Sequence, residues 1–481
     1  MGNRVPDGGG SGASLARKFR PVHGPAVSEP VESIVREATG PRPRAVLVGI
    51  RLPSCNDAEF DASLLELSRL GKTLGLDVVG RVTQRRDSPA VAAGIGGGKL
   101  EELAALTGGI GVVPGYVPQG TDREEPELVA DAVDEDKRAT VVLVDQDLSP
   151  RQTRNLELAT GAQVLDRSMV VVSIFQRHAR SREARLQVEI ARLAYMAPRL
   201  RETGGGEDRQ RGGVGGKGAG ETTLELNRRQ VRDRISELRR ELQTVLKTAE
   251  TQRNRRGESS TVAVVGYTNA GKSSLMRKLT GDDMYVADQL FATLETTVRT
   301  LKPVTRPAIL VSDTVGFIKN LPHDLVASFH STLEEARDAS LLLHLVDASD
   351  PAFRDQMEVT ITALSDIEAD DSERLLVLNK SDQLSDAQKR SLTAEFPDAV
   401  LMSAHSDSDV ADLHQRIVEF FERDMDEHEF VLPYTRQAHV AMLHERCHVL
   451  HESHNEHGTR ITVRASRAVL GGLERVFAEA T

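Results

Sequence analysis

Two hydrophobic periods take turns along this chain and mark out its elements. Apolar runs at 45–50, 77–82, 140–145 and 162–166 read as buried strands. Between the first two, Leu64, Leu65, Leu67 and Leu70 fall at helical spacing. Strands alternating with helices predict a small parallel sheet covered by helices. Further on, Leu186, Ile190, Leu193, Ala197 and Leu200 recur at steps of four and three, as do Val231, Ile235, Leu238, Leu242, Val245 and Ala249. Two such seams bury each other most economically as an antiparallel coiled-coil hairpin. Apolar runs return at 261–265, 309–311 and 375–378, the pattern of a doubly wound sheet with ligands at the carboxyl ends of its strands. After Val449 the alternation is strand-like again, with 455–458 as a hairpin turn before 459–463.

The expected fold class is therefore α/β, in five parts. Residues 1–40, rich in Gly, Pro and Ser, form a mobile tail. A small parallel α/β domain fills 41–178 and the helical hairpin 179–257. A doubly wound phosphate-loop domain spans 258–424, and a small α+β domain closes the chain at 425–481.

Composition narrows the classes. With 39% hydrophobic residues, the chain has no apolar run near the ~20 residues that span a bilayer. The N-terminus lacks the basic-then-apolar order of a signal peptide. Cys55 and Cys447 are too isolated to build a disulfide framework. The expectation is a cytoplasmic protein with no stable membrane insertion. Net charge is −11, yet residues 177–256 hold 20 Lys+Arg against 11 Asp+Glu, a local +9 that leaves −20 elsewhere. Such an island reads as a polyanion-binding surface, or as the solvated face of a helix. At its centre, 202–220 contains nine glycines with Arg209, Arg211 and Lys217, the composition of a loop that orders on a partner. These three are the candidate RNA-facing residues.

Gly266, Tyr267, Thr268, Asn269, Ala270, Gly271, Lys272, Ser273 and Ser274 follow a strand and open a helix. That order cradles phosphates on inward N–H groups and a helix N-terminus, with Lys272 reaching the β- and γ-phosphates and Ser273 placed for Mg²⁺. Asp313, Thr314, Val315 and Gly316 end the next apolar run: the carboxylate holds Mg²⁺, usually through water, and the Gly316 N–H faces the γ-phosphate. Asn379, Lys380 and Asp382 follow a third run. Asp382 can accept from guanine N1–H and N2–H, a donor pair adenine lacks. Ser403, Ala404 and His405 follow a fourth, where Ser403 and Ala404 would brace the base and that carboxylate. Together these make a guanine-nucleotide site for GTP or GDP. Between phosphate loop and Asp313, the stretch holding Phe291, Ala292 and Thr293 should sense the γ-phosphate. Thr293 is the first candidate for a Mg²⁺-binding hydroxyl and Thr297 the reserve. Lys272, Thr293 and Gly316 are the candidate catalytic residues.

Other signals compete. Gly96, Gly97, Gly98 and Lys99 precede a helical stretch but lack full phosphate-loop spacing. Seven of the fourteen histidines lie beyond residue 427, and His444-Glu445-Arg446-Cys447-His448 matches H-E-x-x-H with His454 further on. A zinc hydrolase is thus a remote alternative, set against a histidine-rich helix end in the tail domain.

These residues resemble the HflX family of ribosome-associated GTPases within the translation-factor class. The resemblance spans about 44–481. It is carried by 147–156, 187–191, 218–222 and 266–274, then by Phe291-Ala292-Thr293-Leu294, Asp313-Thr314-Val315-Gly316-Phe317-Ile318 and 321–326. Ala219 and Thr296 stand where the family usually has proline. The resemblance implies binding to the large ribosomal subunit and ribosomal RNA, the N-terminal region with its hairpin reaching RNA near the peptidyl-transferase centre. It further implies splitting of stalled or idle ribosomes and a GTPase stimulated by ribosomes, in a protein expected to be monomeric off the ribosome. A GTP-gated RNA-binding assembly factor that does not split ribosomes is the alternative. ATP binding by the N-terminal region, also attributed to the family, has no second full phosphate loop here to support it. Ras-type enzymes orient water with a Gln after Asp-x-x-Gly; here Phe317 stands there, so intrinsic turnover should be slow. Asn269 resembles an asparagine that holds K⁺ in some GTPases, or it braces its loop.

Overall fold

The structure is a computed structural model that describes residues 42–88, 92–113, 138–203, 219–254, 260–281, 290–291, 297–319, 335–369, 372–423, 425–455 and 458–479. Its first sheet has the order β2-β1-β3-β4, all parallel, from β1 (Arg44–Arg51), β2 (Asp77–Arg85), β3 (Val141–Val144) and β4 (Gln163–Asp166). The fully buried β3 reads Val-Val-Leu-Val, as expected of a strand covered on both faces. Helix α1 (Asp57–Thr73) starts at a reciprocal Asn56–Glu59 cap and buries Leu64, Leu67 and Leu70. Helices α2 (Gly97–Thr107) and α3 (Pro150–Thr160) follow β2 and β3; α4 (Arg167–His178) is buried on every side from Arg167 to Phe175.

Helices α5 (Arg182–Thr203) and α6 (Ala219–Asn254) form the hairpin. Leu186, Ile190 and Leu238 are buried at its seam, with Leu193, Ile235, Leu242 and Val245 beside them. Arg228, Arg229, Arg232, Arg234, Arg239 and Arg240 point to solvent from α6.

The second sheet has the order β10-β9-β8-β5-β7-β6. Parallel strands β5 (Ser260–Gly266), β7 (Ile309–Asp313), β8 (Leu341–Asp347), β9 (Glu373–Asn379) and β10 (Val400–Leu401) are joined by an antiparallel edge, β6 (Thr297–Thr300). Helix α7 (Lys272–Thr280) leaves the phosphate loop; α8 (Phe353–Asp366), α9 (Asp386–Glu395) and α10 (Asp407–Glu422) cover the faces. The last unit is an antiparallel sheet β11-β13-β12, from β11 (Met425–Leu432), β12 (His448–Asn455) and β13 (Gly458–Ser466), packed on α11 (Gln437–Arg446) and α12 (Arg467–Glu479).

The first two units share one core. Leu70, Leu74 and the buried side of α4 pack with Tyr267, Leu290, Phe291, Val315 and Ile318 of the second sheet's loops. The segments flanking the phosphate site are thereby seated on the N-terminal unit. No described helix is long and apolar enough to cross a membrane.

Candidate nucleotide site

The phosphate loop sits at the carboxyl end of β5, where the strand order lets a ligand approach. Gly271 has φ +98, and a Cβ there would run into Asn379 Nδ2, so only glycine fits. Lys272 is buried, its ammonium donating to the carbonyls of Gly266 (3.1 Å) and Tyr267 (2.8 Å). Burial pushes its pKa down to about 8 against the opposing pull of Asp313. Ser273 Oγ lies 3.1 Å from Asp313 Oδ2, and Asp313 is fully buried at the end of β7. A hydroxyl and a carboxylate in contact are hard oxygen donors that fit Mg²⁺. Ser274 is half-buried in the first turn of α7, and Thr314 Oγ1 is spent on the Val264 carbonyl (2.8 Å).

The depressed Lys272 pKa has a measurable consequence. Bound phosphates favour the ammonium and raise the pKa again, so binding must take up protons wherever the empty site is neutral. At about pH 8.5 GDP binding should take up most of one proton, and at about pH 6.5 none. Calorimetry in two buffers of different ionisation enthalpy reads this directly. Buffer-independent heats at the higher pH would show that Lys272 is charged throughout.

Gly316 lies against the loop: an added Cβ would sit 2.9 Å from both Lys272 Nζ and Thr268 Cγ2. Beyond it, the Phe317 N–H donates to the Gly266 carbonyl (3.1 Å), and the Thr268 N–H donates to the Phe317 carbonyl (2.8 Å). This short bridge zips residue 317 onto the phosphate loop. The Phe317 ring is 4% exposed and packs with Ala263, Val265 and Leu342. It is a core residue as well as a missing glutamine. Truncating it to alanine would cost about 3–5 kcal/mol of stability, so that substitution does not isolate a catalytic effect.

At the base end, Asn379 is buried and joins three segments. Its Nδ2 donates to the Ala270 carbonyl (2.8 Å), and its Oδ1 accepts from the Ala404 N–H (2.9 Å). Lys380 adopts a left-handed conformation and donates to Asp347 (2.6 Å). The Ser403 hydroxyl donates to Asp382 Oδ1 (2.6 Å) and holds that carboxyl below its usual range. Asp382 stays ionised and open to solvent, as an acceptor for guanine must. His405 is exposed, its N–H donating to Ser403 Oγ (3.3 Å). Asn269 is exposed at φ +62, and its side chain makes no hydrogen bond among the described residues.

Two of the expected nucleotide residues turn their side chains elsewhere. The Phe291 ring turns away from the cradle and meets Phe175 of α4 edge-on, 4.7 Å between centroids, while the neighbouring Leu290 N–H donates to Thr73 Oγ1 (3.3 Å). Tyr267 offers the cradle only its backbone. Its hydroxyl donates to Glu66 of α1 (2.6 Å) and accepts from the Lys319 N–H (2.9 Å). Glu66 in turn pairs with Arg167, which also holds Asp145 (2.8 Å). Burial favours a packed aromatic over an exposed one, and helix α1, 201 residues away in sequence, supplies the Tyr267 partner. Ala292 and Thr293, like Arg209, Arg211 and Lys217, lie outside the described residues. Thr297 begins β6 directly opposite Asp313.

The zinc alternative fails on geometry. Helix α11 ends at Arg446, Cys447 is extended, and His448 already belongs to β12, so the two histidines do not share a helix face. His444 Nε2 instead meets Glu452 (2.9 Å). No group of three or more His, Cys, Asp or Glu side chains among the described residues is gathered to hold a metal ion.

Comparison with known proteins agrees with this assembly. Residues 261–380 match the family model described as 50S ribosome-binding GTPase. Residues 61–112 and 123–176 match the GTP-binding GTPase N-terminal model, and 178–256 the GTP-binding GTPase middle region. The "GTPase HflX" of Gluconacetobacter diazotrophicus is 53% identical over 451 residues, 92% of this chain and 99% of that protein. This chain belongs to the HflX family. It binds guanine nucleotides and hydrolyses GTP. The Escherichia coli relative, also "GTPase HflX", is 37% identical over 394 residues, 81% of this chain and 85% of its own. The identity thus extends well beyond the nucleotide motifs, across both units that share the core.

Proposed function

We propose that this GTPase acts on ribosomes, binding the large subunit and its RNA and separating stalled or idle ribosomes. What supports this reading most is the packing of Leu290, Phe291, Val315 and Ile318, beside the phosphate site, onto the unit from which the arginine-bearing hairpin extends. A change at the γ-phosphate then has a mechanical route to the basic surface.

The chemistry follows from the residues. Lys272 neutralises phosphate charge, and Asp382 with Ser403 selects guanine. Ser273, Asp313 and, by resemblance, Thr293 would hold Mg²⁺, which supplies charge neutralisation across the β- and γ-phosphates. Residue 317 is bonded to the phosphate loop through both its N–H and its carbonyl, so a γ-phosphate drawing on the neighbouring Gly316 N–H would pull on that bridge. GTP would then shift the Gly316–Lys319 stretch in a way GDP need not, a two-state element of the kind that γ-phosphate switches use. Phe317 cannot align water, so an external activator completes the site.

The unbonded Asn269 side chain favours K⁺ over loop bracing as its role. Replacing K⁺ with Na⁺ should slow hydrolysis severalfold in the wild type and hardly at all in Asn269→Ala; identical wild-type rates in both salts remove potassium from the account. Off the ribosome the protein is expected to be a cytoplasmic monomer. Splitting is tested by light scattering of intact ribosomes mixed with protein and a non-hydrolysable GTP analogue. A fall in scattering is expected. Unchanged scattering with tight binding would leave the assembly-factor reading, in which hydrolysis serves only release.

A further inference from the structure

The Thr268 hydroxyl, in the middle of the phosphate loop, has no hydrogen-bond partner among the described residues, although Thr268 is only 6% exposed. Nearby hydroxyls are committed: Ser273 Oγ to Asp313 (3.1 Å) and Thr314 Oγ1 to the Val264 carbonyl (2.8 Å). A buried hydroxyl without a bond costs stability, and valine would fill the same shape without that cost. A threonine kept for packing alone is therefore a poor choice here.

The surroundings give this hydroxyl a place to act. The Thr268 N–H donates to the Phe317 carbonyl (2.8 Å), which holds the residue against the Gly316 stretch. The side of Gly316 on which a Cβ would stand is bounded by Lys272 Nζ and Thr268 Cγ2, each 2.9 Å from that point. Lys272 and Thr268 thus converge over the glycine whose N–H faces the γ-phosphate. Methyl and hydroxyl share one carbon, so a turn of about 120° about χ1 puts Oγ1 where Cγ2 stands. The hydroxyl then sits beside the Lys272 ammonium at the γ-phosphate seat. Neither neighbour can orient a water there: an ammonium only donates, and Phe317 offers a ring packed into the core. A hydroxyl both donates and accepts.

We infer that Thr268 is a further catalytic residue of GTP hydrolysis, its hydroxyl accepting a hydrogen bond from the attacking water as glutamine does in Ras-type enzymes. The water oxygen is thereby turned with a lone pair toward the γ-phosphorus. Its new bond to phosphorus forms as the bond to the β,γ-bridging oxygen breaks. That oxygen leaves on GDP with the electron pair, and the water's proton passes to a phosphate oxygen. Thr268 itself keeps its proton. One hydroxyl holds the water by one bond, in keeping with slow turnover before an activator arrives. The inference rests on the nucleotide site assigned above.

Thr268→Val and Thr268→Ser separate the hydroxyl from the methyl. GTP hydrolysis by the full-length protein without ribosomes is the measurement, with GDP affinity and thermal unfolding followed on the same samples. Thr268→Val should lower kcat about tenfold or more, the loss of one hydrogen bond made in the transition state, with KM and GDP affinity within about twofold of wild type. Its unfolding midpoint should stay the same or rise, because the substitution removes an unbonded hydroxyl at constant shape. Thr268→Ser lacks only the methyl and should return kcat to within about threefold of wild type. A wild-type kcat in Thr268→Val overturns the inference. So does a Thr268→Ser variant as slow as Thr268→Val, which would assign the effect to packing against Gly316. Failure of the wild type to bind GDP would instead fell the nucleotide assignment and take this inference with it.

Discussion

Asp382→Ala should weaken GDP binding by about 30-fold or more, the consequence of losing about 2–4 kcal/mol of charged hydrogen bonding to the base. The carboxylate is ready for that role. Ser403 donates to one of its oxygens, its pKa is held low, and the neighbouring Asn379 fixes the strand end against both the phosphate loop and Ala404. Removing the side chain leaves N1–H and N2–H of guanine without their acceptor, while phosphate contacts survive. Asp382→Asn makes the sharper test. Its amide presents one acceptor and one donor, which suits xanthine, with N1–H beside a carbonyl, better than guanine. Competition between GDP, XDP and ADP on both variants provides the measurement. Equal affinity of the wild type for ADP and GDP would remove the base-recognition argument.

Much of this site was legible in the sequence because its chemistry is local. Gly271, Lys272 and Ser273 are neighbours in the chain, and strand-loop-helix order fixes where their groups face. The same holds for Asn379 to Asp382, and for the hairpin seam, whose Leu186–Leu238 contact follows from periodicity. What sequence could not supply was pairing at a distance. Nothing local to Tyr267 marks Glu66 as its partner, and nothing local to Phe291 marks Phe175. Both aromatics were therefore assigned to the nucleotide through their neighbours, whereas the fold spends their side chains on an interface. The H-e-x-x-H match misled for the opposite reason. A four-residue spacing implies a shared face only if the helix continues, and here it stops between the two histidines. Helix α4 had no periodicity to detect, being buried on nearly every side.

Reversing Arg209, Arg211 and Lys217 to glutamate should abolish binding to the large subunit and any ribosome-stimulated hydrolysis, with basal GTPase activity intact. These residues fall between α5 and α6, whose seam side chains are committed to each other, so contact with a partner is left to charge. Each cation that neutralises a phosphate releases condensed counterions, and losing three should flatten the salt dependence by about 2–3 in slope. The chain has no Trp, and the hairpin tip has no aromatic residue to replace charge with base stacking. Sedimentation with purified subunits across a salt series measures both affinity and slope. If the triple variant binds and responds like the wild type, the hairpin is a spacer.

The most direct measurement of the central claim, a GTPase completed by the ribosome, is phosphate release with increasing amounts of purified large subunits. Alone, the protein should turn over at about 10⁻⁴ to 10⁻² s⁻¹, as expected of a site with Phe317 in place of the water-orienting glutamine. With subunits the rate should rise to a plateau at least tenfold higher, at an activating concentration that matches the binding constant and moves with salt. A rate that stays at its basal value with saturating subunits would contradict the account.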